Sequence, residues 1–203
     1  MRKAINSFGL RKKTYILLVT VLTGVVIGLS FSFIEKKEEN NMASSIGGEF
    51  SLLSKNRTII TDKDLLGKPS LVLFGYTSCP DVCPTTLATL AIVLHELYQK
   101  LIPINILFVS VDSDFDTPET VSKYSSNFHN DIIGATGTKK QIDVITSKFA
   151  VYFKVNIDKN SQTRIVDHSS IIYLMNKEGI YVKHYSFNSS PKEIIEGILD
   201  LPS

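Results

Sequence analysis

The feature that most constrains this chain is a strand signal running directly into a helix signal through a turn that holds both cysteines. Leu71-Val72-Leu73-Phe74 is an unbroken apolar run closed by Gly75, the pattern of a strand covered on both faces. A helical stripe begins after Pro84, a residue favoured at the start of a helix. Cys79 and Cys83 therefore sit on a strand-to-helix turn. Backbone N–H groups and the helix dipole at such a turn lower a thiol's pKa, which predicts sulfurs easier to ionise than a core cysteine.

The spacing is C-x-x-x-C, one residue wider than the usual redox motif. A disulfide must close a small ring, whereas two converging sulfurs can clamp a soft metal between them. Three intervening residues suit the clamp and leave the redox pair open. Two cysteines cannot complete a closed tetrahedral zinc site, so a metal reading needs a further ligand, and His168 is the leading candidate. Two thiolates and one imidazole suit Cu(I), which accepts fewer ligands than zinc. His95, His129 and His184 fall off an apolar stripe, in a polar loop and in an alternating strand, and read as structural or exposed. Glu96, Asp112 and Asp116 read as structural or surface carboxylates. No G-x-S-x-G, P-loop or dinucleotide fingerprint occurs.

The other segments place this turn in an α/β order. Phe50-Ser51-Leu52 and Thr58-Ile59-Ile60 predict a small hairpin, with Thr61 to Asp64 capping a helical turn. Leu87, Leu90, Ala91, Leu94, Leu97 and Leu101 predict one apolar helix face. Ile104 to Val111 predicts a second doubly covered strand, hence a parallel sheet. A helix from Thr117 to about Phe128, a strand at Ile132 to Ala135 and a helix from Thr138 to about Val151 follow. Strands at Val151 to Val155, Ile171 to Met175 and Ile180 to Tyr185, then a helix opened by Ser190-Pro191, complete the series.

GYTSCPDVCPTTLATL, VSVDSDFDTPE and VDHSS, with GGEFSLL and ATGTKKQI in the same order, resemble the Sco/SenC family of copper proteins that assist cytochrome c oxidase assembly. The likeness runs from about Gly47 to the C-terminus. It implies copper held by Cys79, Cys83 and His168. It also implies a thioredoxin-like fold with added N-terminal strands, in which Val166 to Ser170 forms a loop facing the cysteines. Where thioredoxins carry a cis-proline before the closing hairpin, that loop has no proline. The departure is Ser113-Asp114-Phe115, which replaces the family's usual Pro-Glu-Arg.

The remaining sequence is an appendage. Arg2, Lys3, Arg11, Lys12 and Lys13 precede an uncharged run from Thr14 to Ile34, long enough to cross a bilayer. The expected divisions are a basic N-terminus at 1–13, a transmembrane signal-anchor at 14–34, a linker at 35–46 and the copper-binding domain at 47–203. Positive residues ahead of the span place the N-terminus inside, with the domain in the periplasm or, in a mitochondrion, the intermembrane space. A cleaved signal peptide is the competing reading, although the apolar run is longer than a usual signal core. A net charge of +2 with the basic excess at the N-terminus excludes a nucleic-acid footprint.

The function that the resemblance implies is delivery of copper to the dinuclear site of cytochrome c oxidase. Its partners are the copper-site subunit of that oxidase, a thioredoxin-like reductant and another copper chaperone. The alternative is a membrane-anchored thiol–disulfide oxidoreductase working through Cys79 and Cys83.

Overall fold

Ser51–Leu53 (β1) and Ile59–Thr61 (β2) pair antiparallel at the start of the computed structural model, which describes residues 46–157, 164–168 and 170–202. The chain divides into units Met1–Met42 and Ala43–Ser203, and every described residue belongs to the second. After β2, a single 3-10 turn at Asp62–Leu65 is closed by Asp64, whose carboxylate accepts the N–H and hydroxyl of Thr61 at 2.7 Å each. The capping pattern in the sequence thus forms as expected.

Ser70–Gly75 (β3) is buried at every residue. It leads into Val82–Gln99 (α1), and Asn105–Ser110 (β4) then returns parallel to β3. Pro118–Ser126 (α2), Ile132–Ala135 (β5) and Lys139–Lys148 (α3) continue the alternation. Phe153–Ile157 (β6) and Arg164–His168 (β7) form an antiparallel arm apart from the main sheet. Ile171–Met175 (β8), Tyr181–Ser186 (β9) and Pro191–Leu199 (α4) close the domain. The main sheet has the order β5-β4-β3-β8-β9, parallel on one side of β3 and antiparallel on the other.

Alternation along the central strands sorts side chains between two layers. Leu71 and Leu73 of β3, with Ile106 and Phe108 of β4, face Leu87, Leu90, Leu94 and Leu97 of α1 and Ile194 and Ile198 of α4. Val72 and Phe74, with Leu107 and Val109, face Phe50 and Leu52 and the apolar side of α3. Each such side chain contributes about 1.5–3 kcal/mol of burial. This double cover is what an unbroken apolar strand requires.

Several boundaries differ from the sequence reading. α1 starts at Val82, so Pro84 lies in its first turn instead of opening it, at a place where a missing N–H costs nothing. The apolar face ends at Leu97. Leu101 is 91% exposed at φ +58 beyond the helix end, while Val93 is fully buried. The helix after Thr138 stops at Lys148, because Ala150 takes a positive φ of 51. Val166-Asp167-His168 is not loop; it is the end of β7, in register with Phe153 to Val155.

The predicted span at 14–34 and the basic residues before it lie outside the described residues. Among the described residues no helix is long and apolar enough to cross a membrane.

Candidate metal centre

The cysteine turn lies at the carboxyl end of β3, where parallel strands open a crevice between strand ends and helix starts. The Cys79 N–H donates to the Tyr76 carbonyl at 3.3 Å, which tightens the turn, and Asp81 takes the position before the first helical residue. Cys83 lies in the first turn of α1, where backbone N–H groups have no partner within the helix. Its own N–H donates to the sulfur of Cys79 at 3.4 Å. The two thiols therefore converge, with the helix end directed at Cys79.

Their environments differ. Cys83 is 2% exposed, and its sulfur rests against bare backbone, since a Cβ at Gly75 would lie 2.5 Å from it. Cys79 is half-buried. The hydrogen bond with Cys79, then burial and the neighbouring charge of Cys79, push the Cys83 thiol well up. This corrects the expectation that both sulfurs ionise easily. The helix N–H serves the Cys79 sulfur, while at Cys83 the bond with Cys79 and then burial act against ionisation.

A cavity of about 10 Å³ behind Cys83 is lined by Thr86 on α1 and by Ser170 and Ile171 at the start of β8. The chain that follows His168 thus arrives at the buried sulfur. His168 itself is the last residue of β7, opposite Phe153, and its side chain lies outside those described. Among the described residues no three His, Cys, Asp or Glu side chains converge. The other histidines stand where the sequence placed them. His95 is exposed, His129 accepts the Asp131 N–H at 3.2 Å, and His184 bonds the Tyr181 hydroxyl at 2.7 Å.

Asp116 is a residue whose importance the sequence reading missed. It is 4% exposed, and its carboxylate accepts the Thr77 N–H at 2.9 Å together with the hydroxyls of Thr77 and Ser110. Asp112 is equally buried. Both read from sequence as structural or surface acids; the signal that sets them apart is their position just past a largely apolar strand.

The model of the SCO1/SenC family matches residues 38–202. A SCO2-like protein of Rickettsia prowazekii is 43% identical over 152 residues, 74% of either chain. Two solved structures share the fold. Arabidopsis thaliana ScoI with copper bound has a TM-score of 0.71 at 34% identity, covering 76% of this chain and 96% of that one. Yeast Sco1 with copper bound has a TM-score of 0.71 at 37% identity, covering 77% and 87%. The thioredoxin-like α/β fold, the converging cysteines at the end of β3 and a family match over most of the sequence lead to one assignment: the chain belongs to the SCO1/SenC family.

Proposed function

We propose that this chain is a membrane-tethered copper chaperone, carrying copper on Cys79, Cys83 and His168 and handing it to the dinuclear copper site of cytochrome c oxidase. The observation that carries the reading is the convergence of two thiols on one strand-to-helix turn, half open to solvent at Cys79 and closed behind Cys83. Soft sulfur donors with an imidazole suit copper over magnesium or calcium, which prefer oxygen. The copper-bound relatives support the choice of metal. The oxidase as destination draws support from the Sco family's description as cytochrome c oxidase assembly proteins. The apolar span at 14–34 supplies the tether, with the domain in the periplasm or the mitochondrial intermembrane space.

In this role the chain's own residues bind and orient. Cys79 is the sulfur a partner can reach, and Cys83 is the sulfur that holds position. His168, at the end of β7, is the third ligand in this reading, supported by Ser170 and Ile171 lining the same small cavity as Cys83. Copper is the cargo, and binding it through the Cys83 sulfur would release to solvent the proton that the metal-free fold holds there.

One observation favours a second reading, thiol–disulfide exchange. A half-exposed sulfur backed by a buried one is also the arrangement of an attacking and a resolving cysteine. Copper stoichiometry after competition with a Cu(I) chelator, measured beside disulfide reductase activity, separates the two. His168→Ala, Cys79→Ser and Cys83→Ser should all lose copper. Full copper retention in His168→Ala, with exchange lost only in the cysteine variants, overturns the chaperone reading in favour of the oxidoreductase.

A further inference from the structure

The carboxylate of Asp116 lies beneath the cysteine turn, yet Asp116 comes from a different part of the chain. β4 ends at Ser110, and the turn after it folds back on itself, with the Phe115 and Asp116 N–H groups donating to the Asp112 carbonyl at 3.1 and 2.8 Å. That fold aims the Asp116 side chain inward. There it accepts the N–H and hydroxyl of Thr77, the second residue before Cys79, and the hydroxyl of Ser110. The Ser110 hydroxyl in turn accepts the Asp112 N–H at 3.3 Å. The Val111 N–H donates to the Gly75 carbonyl at 2.9 Å, fixing the strand end from which the turn departs.

Burying a carboxylate is costly, and a buried acid is ordinarily paired with a cation or coordinated to a metal. Among the described residues no lysine, arginine or histidine forms an ion pair with Asp116. Its compensation comes from neutral donors, and two of them belong to the residue that opens the cysteine turn. Three hydrogen bonds to one side chain tie the turn to the end of β4. Charge reaches the site as well. Behind the larger effects of the Cys79 bond and burial, Asp116 adds to the upward push on the Cys83 thiol.

We propose that Asp116 is the positioning residue of the cysteine turn, clamping Thr77 to the end of β4 so that the Cys79 sulfur is held over the first turn of α1, where it meets Cys83. The consequence for copper rests on the metal reading above; the clamp itself does not. A purely architectural acid would stabilise the whole domain evenly. A positioning acid stabilises one turn.

The experiment compares wild type, Asp116→Asn, Asp116→Ala and Thr77→Val in the full-length chain in detergent. Three quantities are read: amide exchange at Thr77 to Cys79 against Leu71 to Phe74, the iodoacetamide rate at Cys79, and Cu(I) retained against a chelator. Losing these hydrogen bonds should speed exchange in the turn by roughly tenfold. The strand should keep its wild-type exchange rate. Alkylation of Cys79 should change with the turn, and copper retention should fall in the order Asn, then Ala. Thr77→Val removes one hydroxyl donor and keeps the backbone bond, so it should give a smaller effect of the same kind. It also decides the matter if Asp116→Ala does not fold. Turn exchange and Cys79 alkylation that match wild type, or turn and strand exchange that rise together, overturn the proposal. If wild type retains no copper, the chaperone reading fails while the exchange and alkylation arms still decide the role of Asp116.

Discussion

The N–H of Cys83 donates to the sulfur of Cys79 at 3.4 Å, so the start of α1 presents a donor to the more open cysteine of the pair. Cys83 is 2% exposed and its thiol is pushed up, whereas Cys79 stands half open. Thiolate and access together decide which sulfur reacts. Iodoacetamide at neutral pH should therefore label Cys79 first, by at least about tenfold over Cys83. Peptide mapping by mass spectrometry after a short pulse reads the ratio. Preferential labelling of Cys83 would show that the helix end does not favour the Cys79 sulfur.

Because Cys83 holds its proton more tightly when folded, stability depends on pH in a defined direction. An unfolded thiol titrates near about 8.5. Below that value both states keep the proton and this group leaves stability unchanged. Above it the unfolded chain gives the proton up while the folded chain retains it, so rising pH favours unfolding. The metal-free, reduced protein should lose stability from about pH 8.5 upward, at a slope approaching about 1.4 kcal/mol per pH unit. Cys83→Ser should flatten the slope. Urea midpoints at pH 7.5, 8.5 and 9.5 test this, and identical slopes in wild type and variant would sink it.

Much of this architecture could be read from the residues, and the failures have physical causes. β3 and β4 were legible because doubly covered strands tolerate only apolar residues, and the caps at Thr117, Thr138 and Ser190 because a short hydroxyl side chain accepts an N–H three residues on. Leu101 misled because its spacing continues the helical stripe, although the chain has already left the helix at Lys100. β7 was invisible for a different reason. Arg164-Ile165-Val166-Asp167-His168 carries too few apolar residues to announce a strand, and its pairing with β6 supplies what the pattern lacks. The cysteines were located correctly and their chemistry only half so, since sequence reveals a helix start but not which sulfur its N–H groups meet. Asp116 needed the fold, because its partners Thr77 and Ser110 lie on two different strand ends.

Away from the site, the Tyr185 hydroxyl is buried with no hydrogen-bond partner among the described residues. It rests against Gly197 of α4, leaving no space for a Cβ there. Gly197→Ala would gain up to about 1 kcal/mol from helix propensity on an open surface. Here the clash should reverse the sign and lower the melting temperature. Tyr185→Phe removes an unsatisfied group worth about 1–3 kcal/mol, so it should be neutral or stabilising. In that background Gly197→Ala should recover most of its loss. Additive effects of the two substitutions would show that the hydroxyl and the glycine are not in contact as described.

Removing residues 1–42 tests whether the domain folds independently of them. The unit Ala43–Ser203 contains both apolar layers, the whole cysteine turn and the Asp116 clamp. Its first described anchor is the Gly47 N–H donating to the Lys148 carbonyl at 2.8 Å, followed by Phe50 and Leu52 in the second layer. Every described residue of the two layers follows Ala43, and a domain of this size buries enough surface to fold alone. A chain starting at Ala43 should therefore be folded and should bind copper as the full-length protein does, with its urea midpoint unchanged. Starting instead at Ser54 deletes β1 and exposes the apolar face of α3, so that form should aggregate or lose cooperative unfolding. Equal behaviour of the two truncations would mean that β1 is not part of the core.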